Sequence, residues 1–291
     1  SKKTTLFCKT LGCYFGLVLM AIGVIALVFI APSIKKLNIS KGFSVEELVL
    51  TEHSGKLCTI SLNRPASLNA ISHEMFRQFS AVVEDLTRRA TDVACVIIKG
   101  NGRAFSAGYD LKAVDELGLS AFTDHEAETL EALSELPMPV IAQVHGYCFT
   151  GALEVALAAD FVFVDETTVL ADTHAKWGLS PVCGMSQRLP RRVGVAHAKD
   201  LMFSCREVTG PEALAMGLVD RVFSVAELEA ETLAFARKIT ANSAQSIRIQ
   251  KKMLQVTDGL RINDGLDYEY TNSPGSCDDA SERISRFLKN Q

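Results

Sequence analysis

The sequence predicts an α/β core that is followed by a helical C-terminal region and preceded by an N-terminal transmembrane helix. Three observations support this prediction. Strand-like apolar runs alternate with helical patterns between residues 48 and 223, helical patterns dominate after Val225, and the segment from Leu11 to Ala31 contains no charged residue. Strands that alternate with helices typically form a sheet that helices cover.

The segment from Leu11 to Ala31 has the composition of a membrane span. As a helix it would extend ~31 Å, close to the hydrocarbon thickness of a bilayer. Lysines lie on both sides of the segment, so its orientation stays open. A cleavable signal peptide is the alternative, but the apolar run is longer than a usual signal core. We therefore expect an anchor within residues 1–37 and a linker over residues 38–47.

The first elements of the predicted core are a β-hairpin and an amphipathic helix. Two strand-like runs, Leu48 to Thr51 and Leu57 to Leu62, are separated by a short polar turn. Apolar residues recur with a helical period from Ser72 to Arg89, and Ser72 is a typical N-cap. A buried strand at Val93 to Ile98 and a helix at Asp124 to Leu136 follow.

The central stretch reads as strand, turn and helix. Val140 to Val144 is a short β-branched run, Gly146 and Gly151 lie in the turn, and good helix formers follow Gly151. N–H groups at a helix start have no partner within the helix and face the positive end of its dipole. Glu154 lies about one turn later, so its carboxylate and the Gly151 N–H can share one site. The alternative is that Glu154 only caps the helix.

A second strand-to-loop transition lies at Gly100 to Lys112 and is rich in small residues. Its backbone N–H groups can face a ligand, although a tight turn without a ligand is the commoner explanation. In that alternative Asp110 caps the following segment, whereas Arg103 and Lys112 are solvated.

The second half of the chain contains one further candidate loop, Ala171 to Pro181, which holds Asp172, His174 and the only tryptophan. A lone histidine is more often structural than catalytic. Helical stretches follow at Ser186 to Val193 and Ala196 to Phe203, and their arginines are expected on a solvated face; these are Arg188, Arg191 and Arg192. A last short strand is predicted at Val219 to Phe223, before C-terminal helices that are broken near Asn242, Asp258-Gly259 and Asn272 to Gly275.

Composition excludes several classes of function. A formal charge of −4 without a basic stripe gives no indication of nucleic-acid binding. The eight cysteines show neither Cys-x-x-Cys spacing nor a ligand cluster, which indicates free thiols in a reducing compartment and no metal site. Glycine-rich dinucleotide or phosphate loops and a nucleophile elbow are also missing from the sequence.

Several short motifs, taken in order, resemble those of the enoyl-CoA hydratase/isomerase (crotonase) superfamily. They are Asn63-Arg64-Pro65 with Leu68-Asn69-Ala70, Phe105 to Leu111, Pro139 to Ala142 with Gly146-Tyr147, Glu154 with Ala159-Asp160, and Gln187-Arg188-Leu189. Each motif is weak alone, but their order and spacing agree from about Leu48 to the C-terminus. The resemblance implies a spiral of β-β-α units, followed by helices that pack subunits into trimers or hexamers.

The resemblance also implies roles for individual residues. The backbone N–H groups of Tyr109 and Gly151 would form the oxyanion hole for a thioester carbonyl, with Glu154 as general base and acid. Five residues would lie along the CoA moiety, with Asp110 in a mainly structural role; they are Arg103, Ala107, Asp110, Leu111 and Lys112. Coenzyme A arrives as part of the substrate, so no separate cofactor and no metal is expected.

Hydratases of the family that this chain resembles use two glutamates. Glu154 matches the first, but His174 occupies the position of the second. The run from Ala171 to Ala175, together with Gly184 to Gln187, nevertheless resembles a subgroup classed as enoyl-CoA hydratases that carries Asp-Thr-His-Ala here. An imidazole with a pKa near neutrality could deliver the proton to substrate C2 while Glu154 activates water. Asp172 is an alternative partner, or it orients a neighbour.

The predicted function is therefore hydration of a 2-enoyl-CoA to a 3-hydroxyacyl-CoA, as in fatty acid β-oxidation. An enoyl-CoA isomerase is one alternative, because one carboxylate can move one proton between carbons. A catalytically silent acyl-CoA-binding scaffold is the other. The catalytic core is expected over residues 48–241 and the C-terminal helical region over residues 242–291. The anchor predicts a single-pass membrane protein whose core lies in a reducing, acyl-CoA-containing compartment, either the mitochondrion or the cytosolic face of a membrane.

Overall fold

The computed structural model describes residues 46–112 and 124–290. The strands are β1 (Val49–Ser54), β2 (Leu57–Leu62), β3 (Cys95–Gly100), β4 (Val140–Val144), β5 (Tyr147–Phe149), β6 (Phe161–Asp165), β7 (Val169–Ala171), β8 (Val208–Thr209) and β9 (Arg221–Phe223). The helices are α1 (His73–Arg88), α2 (Asp124–Glu135), α3 (Gly151–Leu157), α4 (Met185–Ser204), α5 (Gly210–Ala215), α6 (Leu228–Thr240), α7 (Ala244–Thr257), α8 (Ile262–Asn272) and α9 (Ala280–Lys289).

The predicted anchor over residues 11–31 lies outside the described residues. Within the described residues, no helix combines the length and the apolar character that a bilayer crossing requires.

Two sheets organise the described part of the chain. The larger has six strands in the order β1-β2-β3-β4-β6-β9, and the smaller has the order β5-β7-β8. The predicted hairpin β1-β2 is antiparallel, whereas β2, β3, β4, β6 and β9 run parallel to one another. Because parallel strands end at the same edge of a sheet, the loops after β3 and β4 leave the sheet side by side.

The larger sheet is buried on both faces. Successive residues of β3 alternate between two apolar clusters: Val96 and Ile98 belong to the main core with α1 and α4, and Cys95 and Ile97 to a smaller cluster with α6. A strand that is buried on both faces reads as a continuous apolar run. This explains why β3 and β4 have no polar alternation in the sequence.

Most predicted elements are confirmed within a few residues. The Ser72 hydroxyl accepts a hydrogen bond from the Met75 N–H at 3.2 Å, which confirms the N-cap of α1. A residue with non-helical φ and ψ, Gly194, kinks α4 between its two predicted halves. One prediction was wrong: the supposed turn between β4 and α3 contains the strand β5, which pairs with β7. Only two residues separate β5 from β4, so the sequence pattern does not distinguish a turn from a second strand here.

The C-terminal region is helical, as predicted. Helix α7 is attached to the core through Lys251, whose Nζ donates to the Asp160 carboxylate at 2.7 Å and to the Met138 carbonyl at 3.1 Å. Helices α8 and α9 contain no buried residue.

Candidate active site

The two loops that the sequence suggested separately form one structure. The Phe105 N–H donates to the His145 carbonyl at 2.7 Å, and the Ser106 N–H donates to the Tyr147 carbonyl at 3.0 Å. In return, the Phe149 N–H donates to the Ser106 carbonyl at 3.3 Å. The loop after β3 is thereby held against the segment that leads into α3.

The residue before α3, Thr150, joins the helix start to the loop after β7. Its φ is +48°, which is uncommon for a residue other than glycine and costs on the order of 1–3 kcal/mol. Hydrogen bonds hold this conformation: the Thr150 N–H donates to the Ala171 carbonyl at 2.9 Å, and its hydroxyl accepts from the Thr173 N–H at 3.0 Å. The loop that carries Asp172 and His174 is therefore fixed beside the first turn of α3.

The Glu154 carboxylate is buried and contacts the segment after β7. Its Oε1 accepts from the Cys183 N–H at 3.2 Å and from the Met185 N–H at 3.3 Å, whereas Oε2 is buried and has no hydrogen-bond partner among the described residues. The residue is 1% exposed. Burial raises the pKa of Glu154 to about 7, although the His174 charge and the two N–H groups oppose this rise. A carboxyl group that titrates near neutrality is suited to general acid–base catalysis.

His174 lies between Glu154 and Asp172. Its Nδ1 is 2.6 Å from Asp172 Oδ1, and its Nε2 is 3.9 Å from Glu154 Oε2. A carboxylate can only accept, so Nδ1 is the donor to Asp172 and Nε2 faces Glu154. Burial lowers the pKa of His174, but the Asp172 hydrogen bond and the charges of Glu154 and Asp172 outweigh burial and raise the pKa.

Asp172 is therefore a residue that orients its neighbour. Its Oδ1 also accepts the His174 backbone N–H at 3.1 Å, and its Oδ2 is buried without a hydrogen-bond partner among the described residues. The three side chains form a continuous row from Asp172 through His174 to Glu154. Within residues 46–112 and 124–290, no group of three or more histidine, cysteine, aspartate or glutamate side chains is arranged to hold a metal ion.

The two residues predicted to form the oxyanion hole are in contact. Gly151 is the first residue of α3, so its N–H has no acceptor within the helix. The Tyr109 ring lies against it, because a Cβ atom added at Gly151 would be 2.4 Å from Tyr109 Cε2. Gly108 and Asp110 both bond to Ile71, which directs the Tyr109 N–H to the opposite side of the chain. The two residues therefore lie next to each other, as an oxyanion hole formed by both N–H groups requires.

The residues predicted to contact CoA lie along the loop after β3, and most of them are open to solvent. Arg103, Leu111 and Lys112 are exposed, and Ala107 is half-buried. Asp110 Oδ2 accepts from Arg64 Nη1 at 3.1 Å, in agreement with a mainly structural role. Their role in binding stays a prediction.

Sequence reasoning missed Arg188 and Cys183. The prediction that Arg188 is solvated was wrong: its Nη1 donates to the Cys183 carbonyl at 2.7 Å and its Nη2 to the Leu130 carbonyl at 3.4 Å. The same prediction was wrong for Arg192, whose Nη1 donates to Asp220 Oδ1 at 2.9 Å. The Arg188 guanidinium also lies against Gly184, where a Cβ atom would be 2.2 Å from Nη1. Arg188 thus braces the segment whose N–H groups bind Glu154. The motif Gln187-Arg188-Leu189 was the available signal, but only packing shows which way Arg188 points.

Comparison with known proteins identifies the family of this chain. The sequence model of the enoyl-CoA hydratase/isomerase family matches residues 52–289. The chain belongs to this family. A probable mitochondrial enoyl-CoA hydratase of Dictyostelium discoideum is 31% identical and covers 82% of this chain and 87% of its own length. A probable enoyl-CoA hydratase of Mycobacterium tuberculosis is 32% identical and covers 84% of this chain and 95% of its own length.

Solved structures show the same fold for this enoyl-CoA hydratase/isomerase family member. The crystal structure of an enoyl-CoA hydratase from Bacillus anthracis has a TM-score of 0.80 at 29% identity and covers 84% of this chain and 97% of its own. The structure of Pseudomonas aeruginosa DspI has a TM-score of 0.79 at 27% identity and covers 87% of this chain and 98% of its own. The predicted crotonase fold with a helical C-terminal region is confirmed.

Proposed function

We propose that this family member hydrates a 2-enoyl-CoA thioester to a 3-hydroxyacyl-CoA. One observation carries the proposal: Glu154 Oε2 is buried without a hydrogen-bond partner among the described residues and lies 3.9 Å from His174 Nε2. The first N–H groups of α3 lie one turn from this pair. An acid–base pair beside anion-stabilising donors is the arrangement that hydration of a conjugated thioester requires.

The charge that develops in the reaction sits on the thioester oxygen. When water adds to substrate C3, the electron pair of the double bond moves toward that oxygen. The N–H groups of Gly151 and Tyr109 would receive this charge. Removing one such donor typically costs about 3–4 kcal/mol of transition-state stabilisation.

The proton balance uses both members of the pair. Glu154 takes one proton from water as the oxygen bonds to substrate C3, and His174 Nε2 gives its proton to substrate C2. The proton on Glu154 then returns to His174, so both groups regain their starting states. A separation of 3.9 Å is too long for a direct hydrogen bond but short enough for one water to contact both atoms. Asp172 keeps the Nδ1 proton in place throughout.

The test follows the absorbance of the conjugated thioester with crotonyl-CoA in the 291-residue chain and in its Glu154→Gln and His174→Ala variants. Hydration by the wild type, with about 10³-fold lower turnover in Glu154→Gln, supports the proposal. Oxygen from labelled water must also appear in the product. Conversion of a 3-enoyl-CoA without label would favour the isomerase, and acyl-CoA binding without turnover of either substrate would favour the scaffold.

Members of this family are typically oligomers, and we propose a homotrimer or a pair of trimers for this chain. Support comes from α8 and α9, which leave large apolar side chains in solvent, including Ile262 at 77%, Tyr270 at 74% and Phe287 at 62% exposure. Light scattering should give a trimer or hexamer mass. A monomer mass at micromolar concentration would contradict this assembly.

Membrane attachment through residues 11–31 stays a proposal that rests on the sequence alone. We place the core in a reducing, acyl-CoA-containing compartment, and the mitochondrial relative in Dictyostelium makes the mitochondrion one candidate. Deleting residues 1–37 should move the protein from the membrane fraction to the supernatant. Unchanged fractionation would refute the anchor.

A further inference from the structure

The side chain of Tyr109 has no part in the proposed mechanism, which uses only its backbone N–H. Its ring nevertheless lies directly on the first residue of α3. A Cβ atom added at Gly151 would be 2.4 Å from Cε2, 2.6 Å from Cδ2 and 2.9 Å from Cζ of Tyr109. No side chain larger than hydrogen fits at Gly151 while the ring is in this position.

The other end of the Tyr109 side chain reaches the segment that holds Glu154. The Tyr109 hydroxyl is 3.3 Å from Cys183 Sγ, and the Cys183 N–H donates to Glu154 Oε1 at 3.2 Å. The phenol thus spans the distance from the start of α3 to the segment after β7. Tyr109 therefore connects Gly151 to the segment that binds the Glu154 carboxylate.

We infer that the Tyr109 side chain determines specificity by restricting the site to 2-enoyl-CoA substrates with short acyl chains. The inference rests on the proposed function for the position of the acyl group. Cys183 lies on the Oε1 side of Glu154. With the thioester oxygen at Gly151 and substrate C3 beside Glu154, we place the carbons after C3 on this side. The phenol occupies that side.

The phenol that contacts the acyl chain in this proposal is uncharged. Burial raises the pKa of Tyr109 well above its usual range, and the neighbouring Cys183 and Glu154 act in the same direction. A neutral ring and a thiol exclude a longer chain by volume and not by charge. In such a pocket, one methylene group changes selectivity by roughly 10- to 200-fold.

The first experiment compares kcat/KM for crotonyl-CoA and trans-2-decenoyl-CoA in wild type, Tyr109→Phe and Tyr109→Ala. We expect the wild type to prefer crotonyl-CoA by about 10-fold or more, and Tyr109→Ala to reduce this ratio by about 10-fold or more. Tyr109→Phe retains the ring and should retain the ratio. If Tyr109→Ala fails to fold, as judged by its melting curve, Tyr109→Leu takes its place.

A second experiment measures the affinities of butyryl-CoA and decanoyl-CoA by calorimetry, which needs no turnover. If the wild type hydrates no substrate but binds butyryl-CoA more tightly, and Tyr109→Ala removes that preference, the proposed function fails while the role of Tyr109 stands. If the wild type uses and binds both chain lengths equally, the role of Tyr109 is refuted. An equal loss for both chain lengths in Tyr109→Ala would also refute it.

Discussion

Two groups of buried charges in this protein differ in whether their carboxylate oxygens have hydrogen-bond partners. In the row Asp172-His174-Glu154, one oxygen of each carboxylate is buried without a hydrogen-bond partner among the described residues. At the opposite edge of the sheet, Lys251 is 8% exposed, and its Nζ bonds both to Asp160 at 2.7 Å and to the Met138 carbonyl at 3.1 Å. Asp160 Oδ2 also accepts the Val140 N–H at 2.7 Å.

We interpret this difference as one between a structural charge and the charge of the proposed catalytic residue. Buried polar groups are normally hydrogen-bonded, since an unpartnered group loses its hydration without compensation. The pair Lys251–Asp160 follows this rule and joins α7 to the sheet. The row at Glu154 breaks the rule and carries a carboxyl group with a raised pKa, a combination that marks functional sites.

Glu154→Gln should reduce turnover by about 10³-fold, because the amide cannot take a proton from water. Binding of acyl-CoA should change little, since the amide oxygen can still accept from Cys183 and Met185. Steady-state kinetics and calorimetry check the two parts. Turnover within 10-fold of wild type would remove Glu154 from the mechanism.

Asp172→Asn should lower turnover by about 10²-fold through His174. An amide can donate to Nδ1 and so favour the wrong tautomer of the ring, as in other histidine–carboxylate pairs. The pH dependence of kcat should change shape, because the pKa of His174 loses the support of Asp172. A purely structural role would lower the melting temperature and leave the pH profile intact.

Lys251→Met should destabilise the fold by about 2–3 kcal/mol, because it removes the cation that compensates the Asp160 carboxylate. Denaturant unfolding measures this loss. The matched control is Arg261→Met, whose ion pair with Asp264 is exposed and should contribute little. Equal effects of the two substitutions would contradict the structural role of Lys251.

Glu154→Gln should also stabilise the fold at high pH. Because the pKa of Glu154 is raised from 4.5 to about 7, the folded chain holds a proton that the unfolded chain releases over this range. Stability of the wild type therefore falls as pH rises through this window. Glutamine lacks this ionisation, so the melting temperature of the variant should exceed that of wild type at pH 8 and approach it at pH 5. The opposite order would show that ionised Glu154 is well compensated.

Arg188→Gln should raise the pKa on the acid limb of kcat/KM by less than one unit, since it removes a positive charge near Glu154 and loosens the Cys183–Met185 segment. Arg188→Lys should return the pKa of this acid limb most of the way to its wild-type value. Arg191→Gln is the control on the exposed side of the same helix. A lower melting temperature without a shifted limb would limit Arg188 to a structural role.

Local features of the chain were predictable because they depend on neighbouring residues. The N-cap at Ser72, the strands β3 and β4, and the start of α3 at Gly151 follow from side-chain periodicity and backbone preference. The position of Glu154 one turn after Gly151 is equally local. The strand β5 was missed because it begins only two residues after β4 and its strand partner, β7, lies more than twenty residues further along the chain.

Most strands and helices in their order, the family, and the presence of Glu154, Asp172 and His174 could be predicted from the sequence. Three contacts are seen only in the packed fold: Asp172 turns His174 toward Glu154, Arg188 points inward, and the Tyr109 ring covers Gly151. These contacts join segments that are far apart in the chain. Periodicity and capping act over a few residues, whereas such contacts depend on how the whole core packs.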